Sequence, residues 1–232
     1  MQWFNSSEPI WNGTISNLEA KQKIASQVAH FAKDNQVIGV GSGTTAFLTL
    51  IELSKKVKKD GLNLLFIATS HEIAGYINQL GLKQTTLLNA KPDWYFDGAD
   101  EVDPNNNIIK GRGGAFVREK LVCASSDERY ILVDKSKLVD HLGQKMLLPI
   151  EVIPEAVNLV TAHLQNSLGA TPNIRPAGGK DGGVITEQGN IIMDIAIKTV
   201  IDPKELNTII NNTVGITGSG LFTDFDIKVI TD

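Results

Sequence analysis

Hydrophobic and polar residues alternate along the first part of the chain in two patterns, one typical of amphipathic helices and one of buried strands. Short apolar runs are each followed by a longer segment in which apolar positions recur at helical spacing. Strands that alternate with helices predict a parallel sheet wound by helices, in which ligands bind beyond the carboxyl ends of the strands. The predicted order is a helix from Leu18, a strand in QVIGVG (36–41), a helix in GSGTTAFLTLIEL (41–53), a strand in LNLLFIATS (62–70), a helix in HEIAGYINQLG (71–81) closed by Gly81, and buried strands in DWYFDGAD (93–100) and RYILVDKS (129–136).

The pattern changes near residue 145. LLPIEVIP (147–154) leads into a predicted helix that ends near Leu168, and GGVITEQGNIIMDIAI (182–197) predicts a hairpin that turns at Gln188-Gly189-Asn190. Asp202 followed by Pro203 predicts another helix start, because Asp caps helix N-termini and Pro fits the first turn. The last run (221–232) predicts a strand that rejoins the first sheet. We therefore expect an α/β chain in which 1–144 with 219–232 form a parallel-sheet domain and 145–218 form a smaller inserted α+β domain.

Composition and charge narrow the possible classes of function. The chain has 232 residues, 42% of them hydrophobic and 21% charged, which is typical of globular domains with a real core. The net charge of −4 provides no basic surface for nucleic acid or an anionic membrane. The single cysteine, Cys123, cannot form an internal disulfide, and no Cys or His spacing indicates a metal site. We expect a cytoplasmic protein with neither a secretory signal nor a membrane span.

The first sixteen residues show no periodicity but carry Trp3, Phe4 and Trp11. Such an extension packs on the surface of its own chain, packs on a partner subunit, or stays frayed. The sequence leaves these alternatives open.

The segment GVGSGTTA (39–46) lies where the first predicted strand meets a helix. Glycines at such a corner allow a ligand to approach the backbone, and the helix N-terminus offers free N–H groups to an anion. Ser42, Thr44 and Thr45 add hydroxyl donors beside Gly43. The spacing matches neither the P-loop nor the dinucleotide fingerprint, so a small phosphate monoester fits better than a nucleotide. The alternative is a tight turn whose Ser and Thr residues only cap the helix.

The segment DGADEVDPNNNIIKGRGGAFVREK (97–120) combines carboxylates, a lysine and a glycine-rich corner. Asp97 and Asp100 directly follow a buried strand, so we expect them at its carboxyl end, where they can exchange protons with a ligand. Lys110 returns a cation to the same segment, and Glu119 in the predicted helix is a candidate general base. Without this context, an acidic loop is usually solvated, and REK on a helix is usually a charged face.

These residues supply the functional groups that a cofactor-free aldose–ketose isomerisation requires. A bound phosphate anchors a small sugar, and its binding energy holds the reacting carbons in place. One carboxylate moves a proton between adjacent carbons, while a second acid and a lysine stabilise the charge that develops on the oxygens.

Six blocks in this order resemble the type A ribose-5-phosphate isomerase family from about residue 18 to the end: GVGSGTTA, DGADEVD, IIKGRGGAFVREK, ILVDKSKLVDHLG, LPIEVIP and TEQGNIIMD. The resemblance implies a Rossmann-like domain with a smaller inserted domain, a homodimer or homotetramer, and interconversion of D-ribose 5-phosphate and D-ribulose 5-phosphate through a cis-enediol without a cofactor or metal. It implies that Glu119 is the general base and that Asp97, Asp100 and Lys110 line the sugar site. The positions it implies for substrate binding are Lys21, Ser42, Gly43, Thr44, Thr45, Gly111, Gly113 and Lys137.

The chain departs from the family pattern at the glycine corner, where Arg112 replaces the second glycine of KGGG. This arginine points outward, grips the substrate, or narrows the pocket, and the sequence does not decide among them.

Three other functions compete with the isomerase. A non-catalytic sugar-phosphate-binding module of the same fold is the main alternative, and it requires Arg112 to block the site. The effector domain of a sugar-responsive repressor would need an attached DNA-binding helix-turn-helix, which sixteen irregular residues cannot supply. A coenzyme A transferase would form a covalent thioester on a glutamate, and the DGADE block argues against it.

Overall fold

The computed structural model describes residues 11, 13–197 and 200–232, which divide into two compact units. The first unit takes the described residues up to Gly98 together with Leu121–Ser136 and Asp226–Asp232, and the second takes Ala99–Lys120 and Lys137–Phe225. The domain bounds expected from sequence, 1–144 with 219–232 and 145–218, differ from these units. They stay a prediction, because a compact unit is defined by its contacts and a domain by its ability to fold alone.

The first unit is built on a six-stranded parallel sheet in the order β13-β7-β4-β1-β2-β3. The predicted α/β class is confirmed, and so is the return of the last strand to this sheet. The strands are β1 (Val37–Val40), β2 (Leu65–Ala68), β3 (Lys83–Gln84), β4 (Trp94–Asp97), β7 (Glu128–Leu132) and β13 (Lys228–Ile230). The helices are α1 (Leu18–Ala29), α2 (Thr44–Asp60) and α3 (His71–Gln79), while α4 (Phe116–Ser125) begins in the second unit and ends in the first.

Apolar faces of the helices cover this sheet and form the core of the first unit. Leu50 and Leu53 on α2 are fully buried together with Phe66 of β2 and Phe96 of β4. Burying one such side chain stabilises the fold by about 1.5–3 kcal/mol. The helix ends follow their sequence signals. Ser70 caps α3 by accepting a hydrogen bond from the Ile73 N–H, and Gly61 ends α2 in the left-handed conformation.

Trp11, the one aromatic residue of the N-terminal extension that the structure describes, packs on its own chain. The ring of Trp11 lies 5.4 Å from that of Phe47 and 6.3 Å from that of Tyr76, measured between centroids. Trp3 and Phe4 lie outside the described residues.

The second unit contains two small sheets. A four-stranded antiparallel sheet has the order β11-β8-β10-β9, and a three-stranded antiparallel sheet has the order β12-β6-β5. Their strands are β5 (Glu101–Val102), β6 (Ile108–Ile109), β8 (Leu148–Val152), β9 (Asn173–Ile174), β10 (Ile191–Ile195), β11 (Ile216–Ser219) and β12 (Leu221–Phe222), and the helices are α5 (Val157–Leu168) and α6 (Pro203–Asn211). The predicted cap of α6 is confirmed, since the Asp202 carboxylate accepts hydrogen bonds from the N–H groups of Lys204 and Glu205.

The predicted hairpin is present, but its first arm is short. Its turn is present, with the Thr186 N–H donating to the Asn190 carbonyl (2.8 Å), and its second arm is β10. The first arm pairs with β10 through the Ile185–Ile191 bridge and through the hydrogen bond from the Ile192 N–H to the Val184 carbonyl (3.2 Å). Further along β10, this edge is taken by β9, while β8 pairs with the other edge.

Candidate active site

The loop after β1 lies at the carboxyl edge of the parallel sheet, where β4 also ends at Asp97. Gly43 has φ +98°, a backbone conformation that favours glycine, and it directly precedes the first residue of α2. Gly41 has no room for a side chain, since a Cβ there would lie 2.0 Å from Cγ of Asp97. The backbone of the loop therefore leads directly into the N-terminus of α2, where free N–H groups are suited to binding an anion.

The hydroxyls of this loop are tied to the next strand end. The Ser42 Oγ lies 3.0 Å from the Thr69 Oγ1 and donates to the Ser70 Oγ at 3.2 Å. Thr69 in turn donates through its Oγ1 to the Val40 carbonyl (2.9 Å). These bonds tie the loop that precedes α2 to Ser70, the N-cap of α3.

Lys21 brings the positive charge to this edge. It is 7% exposed, and its Nζ donates to the Oγ1 of Thr44 (3.1 Å) and the Oγ of Ser16 (3.3 Å). Asp134, which follows β7, balances it. Burial works against the charged form of Asp134, but hydrogen bonds from Ser136 and Asn17 and the charge of Lys21 outweigh this effect and lower its pKa.

Asp97 is the last residue of β4 and is fully buried. Its carboxylate accepts hydrogen bonds from the Tyr95 hydroxyl and from the Gly98 N–H (2.7 Å). The structure thus confirms the predicted position of this residue at a strand end. Tyr95, which the sequence reasoning missed, lies two residues earlier on the same strand and therefore on the same face.

In the second unit, Lys110 and Glu119 form a buried ion pair. The Nζ of Lys110 lies 3.2 Å from an Oε of Glu119, and each side chain is 5% exposed. Lys110 follows β6 directly, while Glu119 lies in the first turn of α4, where the helix dipole favours a negative charge. The sequence placed both residues in one segment, and the structure brings their charged groups together.

Residues 220–222, which follow β11, contact both the residue after β6 and the helix α4 that carry this pair. The Lys110 N–H donates to the Gly220 carbonyl at 2.8 Å. Next to Glu119, the Nζ of Lys120 donates to the Leu221 carbonyl at 2.8 Å and lies 5.0 Å from the centre of the Phe222 ring. Because β6 and α4 are both attached to residues 220–222, the distance between the lysine and the glutamate is set by the fold.

The glycine corner after Lys110 is crowded at Gly111 and exposed at the two residues that follow it. Gly111 has φ +111°, and a Cβ there would lie 2.5 Å from the Phe116 ring. The Arg112 N–H donates to a carboxylate oxygen of Asp100 (3.1 Å), so Asp100 closes the corner from the other side. Arg112 and Gly113 are exposed.

The other two carboxylates of the acidic segment have structural roles. Glu101 is fully buried and accepts hydrogen bonds from the N–H groups of Gly143, Lys145 and Met146. Asp103 accepts hydrogen bonds from the N–H groups of Asn105 and Asn107, each at 2.8 Å, and so closes the turn between β5 and β6. Asp97 and Asp100 thus remain as the candidates for chemistry.

Two further residues that the sequence predicted for substrate binding, Thr45 and Lys137, lie at the start of α2 and after β7. Thr45 is buried in the first turn of α2, and Lys137 is half-buried at the end of a short 3₁₀ turn, Lys135–Lys137. Within the part of the chain that the structure describes, no group of three His, Cys, Asp or Glu residues is arranged to hold a metal ion. No helix among these residues combines the length and the apolar character that a bilayer crossing requires.

A loop suited to an anion and a buried carboxylate–ammonium pair are each features that enzymes use for substrate binding and proton transfer. The family model of ribose 5-phosphate isomerase A (phosphoriboisomerase A) matches residues 65–232. Ribose-5-phosphate isomerase A of Methanothermobacter thermautotrophicus is 38% identical over 213 residues, which cover 92% of this chain and 93% of the relative. That of Synechococcus is 41% identical over 204 residues, covering 87% and 88%. The chain therefore belongs to the ribose 5-phosphate isomerase A family.

Solved structures of this family match the whole fold. Ribose 5-phosphate isomerase A of Methanocaldococcus jannaschii superposes with a TM-score of 0.89 at 39% identity, covering 94% of this chain and 96% of that one. A D-ribose-5-phosphate isomerase solved in complex with phospho-erythronic acid gives a TM-score of 0.88 at 34% identity, covering 93% and 95%.

Proposed function

We propose that Glu119 is the general base of an aldose–ketose isomerisation in this chain. As a member of its family, the chain is an isomerase that interconverts D-ribose 5-phosphate and D-ribulose 5-phosphate. The observation that carries the role of Glu119 is its pairing with Lys110 at 3.2 Å in a buried setting. A carboxylate in this position takes the proton from C2 of the aldose and returns it to C1, passing through a cis-enediol.

Lys110 and the two aspartates act on the oxygens in this proposal. The ammonium group of Lys110 stabilises the negative charge that develops on the enediolate oxygens while the proton is on Glu119. Asp97 and Asp100 transfer protons to and from the hydroxyls during ring opening. The N–H groups of Gly111 and Gly113 then serve as backbone donors to the sugar.

The phosphate is anchored in the first unit. Ser42, Gly43, Thr44 and Thr45 offer hydroxyls and N–H groups at the start of α2, and Lys21, bonded to Thr44, adds a positive charge. Lys137 is a further basic contact to the substrate in this proposal. The relative bound to phospho-erythronic acid supports a sugar phosphate as the ligand class.

The exposed position of Arg112 argues against the non-catalytic alternative, because that alternative depended on this side chain blocking the site. The reaction in this proposal needs no cofactor. A homodimer or homotetramer in the cytoplasm completes the proposal. Light scattering coupled to gel filtration measures the oligomeric state, and a monomer at working concentration would contradict this part.

The test is the rate at which the purified protein converts D-ribose 5-phosphate to D-ribulose 5-phosphate in the presence of a metal chelator. We expect robust turnover in the wild type and a loss of kcat of at least about a hundredfold in Glu119→Gln, with KM little changed, because only the base is removed. Ordinary turnover in Glu119→Gln would remove Glu119 from its role.

Glu151→Gln is the matched control, since it makes the same change at another buried glutamate of the second unit. One Glu151 oxygen accepts hydrogen bonds from Thr186 (3.1 Å) and Asn190 (2.7 Å), which an amide oxygen can also accept. We expect this variant to keep its turnover. A loss equal to that of Glu119→Gln would point to a general effect of removing buried charge.

A further inference from the structure

A second ion pair of the second unit reaches the glycine corner. Arg175 directly follows β9, and its guanidinium donates through Nε to Asp194 on β10 (2.8 Å), with Nη2 donating to the other carboxylate oxygen. Both side chains are largely buried, at 18% and 15% exposed. A two-point contact of this kind fixes the plane of the guanidinium on the four-stranded sheet.

The remaining arm of that guanidinium binds the backbone of the corner. Its Nη1 donates to the carbonyl of Gly111 at 2.8 Å and to the carbonyl of Arg112 at 2.9 Å. One arginine thus connects the four-stranded sheet to the two residues that follow Lys110. A lysine cannot make the same set of contacts, because only a planar fork offers donors in both directions.

The peptides of the glycine corner need outside contacts to fix their orientation. Gly111 lies at φ +111°, in a region where glycine has unusual freedom and the direction of the next peptide is set from outside. The Lys110 N–H is held by Gly220 on one side, and the Arg112 N–H donates to Asp100 on the other. Arg175 holds the Gly111 carbonyl, which lies between these two contacts, and the Arg112 carbonyl, which directly follows them, so a rotation of either peptide disturbs the positions of Lys110 and Asp100.

We propose that Arg175, oriented by Asp194, is a positioning residue that sets the geometry of Lys110 and Asp100 for proton transfer. This inference rests on the proposed function. It assigns Arg175 no contact with the substrate, since its donors are directed at Asp194 and at main-chain carbonyls. Its effect therefore lies in kcat rather than in substrate binding, because displacement of a catalytic group by about 1 Å costs about a hundredfold in rate.

The experiment compares Arg175→Ala, Arg175→Lys and Asp194→Asn with the wild type in the ribose 5-phosphate assay, with thermal unfolding of each protein measured in parallel. We expect kcat to fall about 10- to 100-fold in Arg175→Ala and less in Asp194→Asn, with KM within about threefold of the wild type. Arg175→Lys keeps the charge but lacks the fork, so it should remain impaired. Added guanidinium ion at non-denaturing concentration should restore activity to Arg175→Ala and leave Glu119→Gln inactive.

Lys204→Met is the control for loss of an ion pair in the same unit, since Lys204 and Asp224 are 68% and 54% exposed. It should keep the kcat of the wild type. A merely structural Arg175 would lower the unfolding temperature while the folded protein kept its kcat and gained nothing from guanidinium, and that result overturns the inference. If Arg175→Ala does not fold, full activity in both Arg175→Lys and Asp194→Asn overturns it equally. An inactive wild type would instead overturn the proposed function itself.

Discussion

The two compact units differ in how their candidate functional groups are held. In the first unit, the loop after β1 presents hydroxyls and backbone N–H groups, and the buried Lys21 and Asp97 at the same edge are hydrogen-bonded to the neutral hydroxyls of Thr44 and Tyr95. In the second unit, two full charges, Lys110 and Glu119, lie 3.2 Å apart with side chains 5% exposed. The hydroxyl and N–H donors of the loop lower the stability of the fold little, whereas the buried charges of Lys110 and Glu119 depend on each other and on the fold around them.

Turnover and stability are therefore separable in the loop of the first unit and coupled in the buried pair of the second. A hydroxyl of the loop can be removed with little effect on the free energy of unfolding, because the helix it precedes is packed on the sheet by its apolar face. A member of the buried pair cannot be removed without changing both turnover and stability.

Lys110→Met should have the largest effect. We expect it to abolish measurable turnover and to lower the free energy of unfolding by about 3–5 kcal/mol, because Glu119 loses the ammonium charge beside it in a buried setting. Denaturant unfolding at neutral pH measures the second effect. The double variant Lys110→Met with Glu119→Leu should recover most of the stability and none of the turnover. Equal stability of the single variant and the wild type would show that the pair is not coupled as its geometry indicates.

Thr45→Ala should have an intermediate effect that is confined to binding. We expect KM for D-ribose 5-phosphate to rise about tenfold with kcat nearly unchanged, because a hydroxyl that binds the substrate and the transition state equally affects KM. Thr49→Ala is the matched control. It makes the same change one turn later in α2, where the hydroxyl donates to the Thr45 carbonyl at 2.9 Å. A KM that stays unchanged in Thr45→Ala would remove the loop from phosphate binding.

Asp134→Asn should have the smallest effect, and it tests the charge balance between Asp134 and Lys21 at the edge of the first unit. The folded state lowers the pKa of Asp134, so its charged form stabilises the protein above the unfolded pKa of about 3.9, and this contribution is lost as the pH falls further. We expect the wild type to be more stable than Asp134→Asn near neutral pH and the difference to vanish at low pH. Unfolding curves between neutral pH and about pH 3 measure it, and a difference that is constant with pH would contradict the assignment.

The sequence predicted those site residues whose signal is local. Asp97 follows an apolar run, Gly43 and Thr44 stand where a strand meets a helix, and Glu119 lies in a helical segment. Each of these positions follows from a pattern of a few neighbouring residues. The same holds for the Asp202 cap.

The sequence could not assign the residues whose partners are distant along the chain. Nothing local in DGADE separates Glu101 from the two aspartates, yet its carboxylate accepts hydrogen bonds from N–H groups more than forty residues later in the chain. Arg175 belongs to no recognised block, and its bonds to Gly111 and Arg112 span more than sixty residues. Such contacts arise from the packing of whole elements, which the periodicity of one segment does not encode.

Gly41 has a further consequence for comparing this chain with its relatives. Since a Cβ at position 41 would lie 2.0 Å from the Asp97 carboxyl carbon, the two positions cannot vary independently. A relative with a larger residue at the position of Gly41 must have moved or lost the carboxylate that fills this space. The glycine therefore serves as a marker in a set of sequences, because its absence indicates members of the fold in which the end of β4 is built differently.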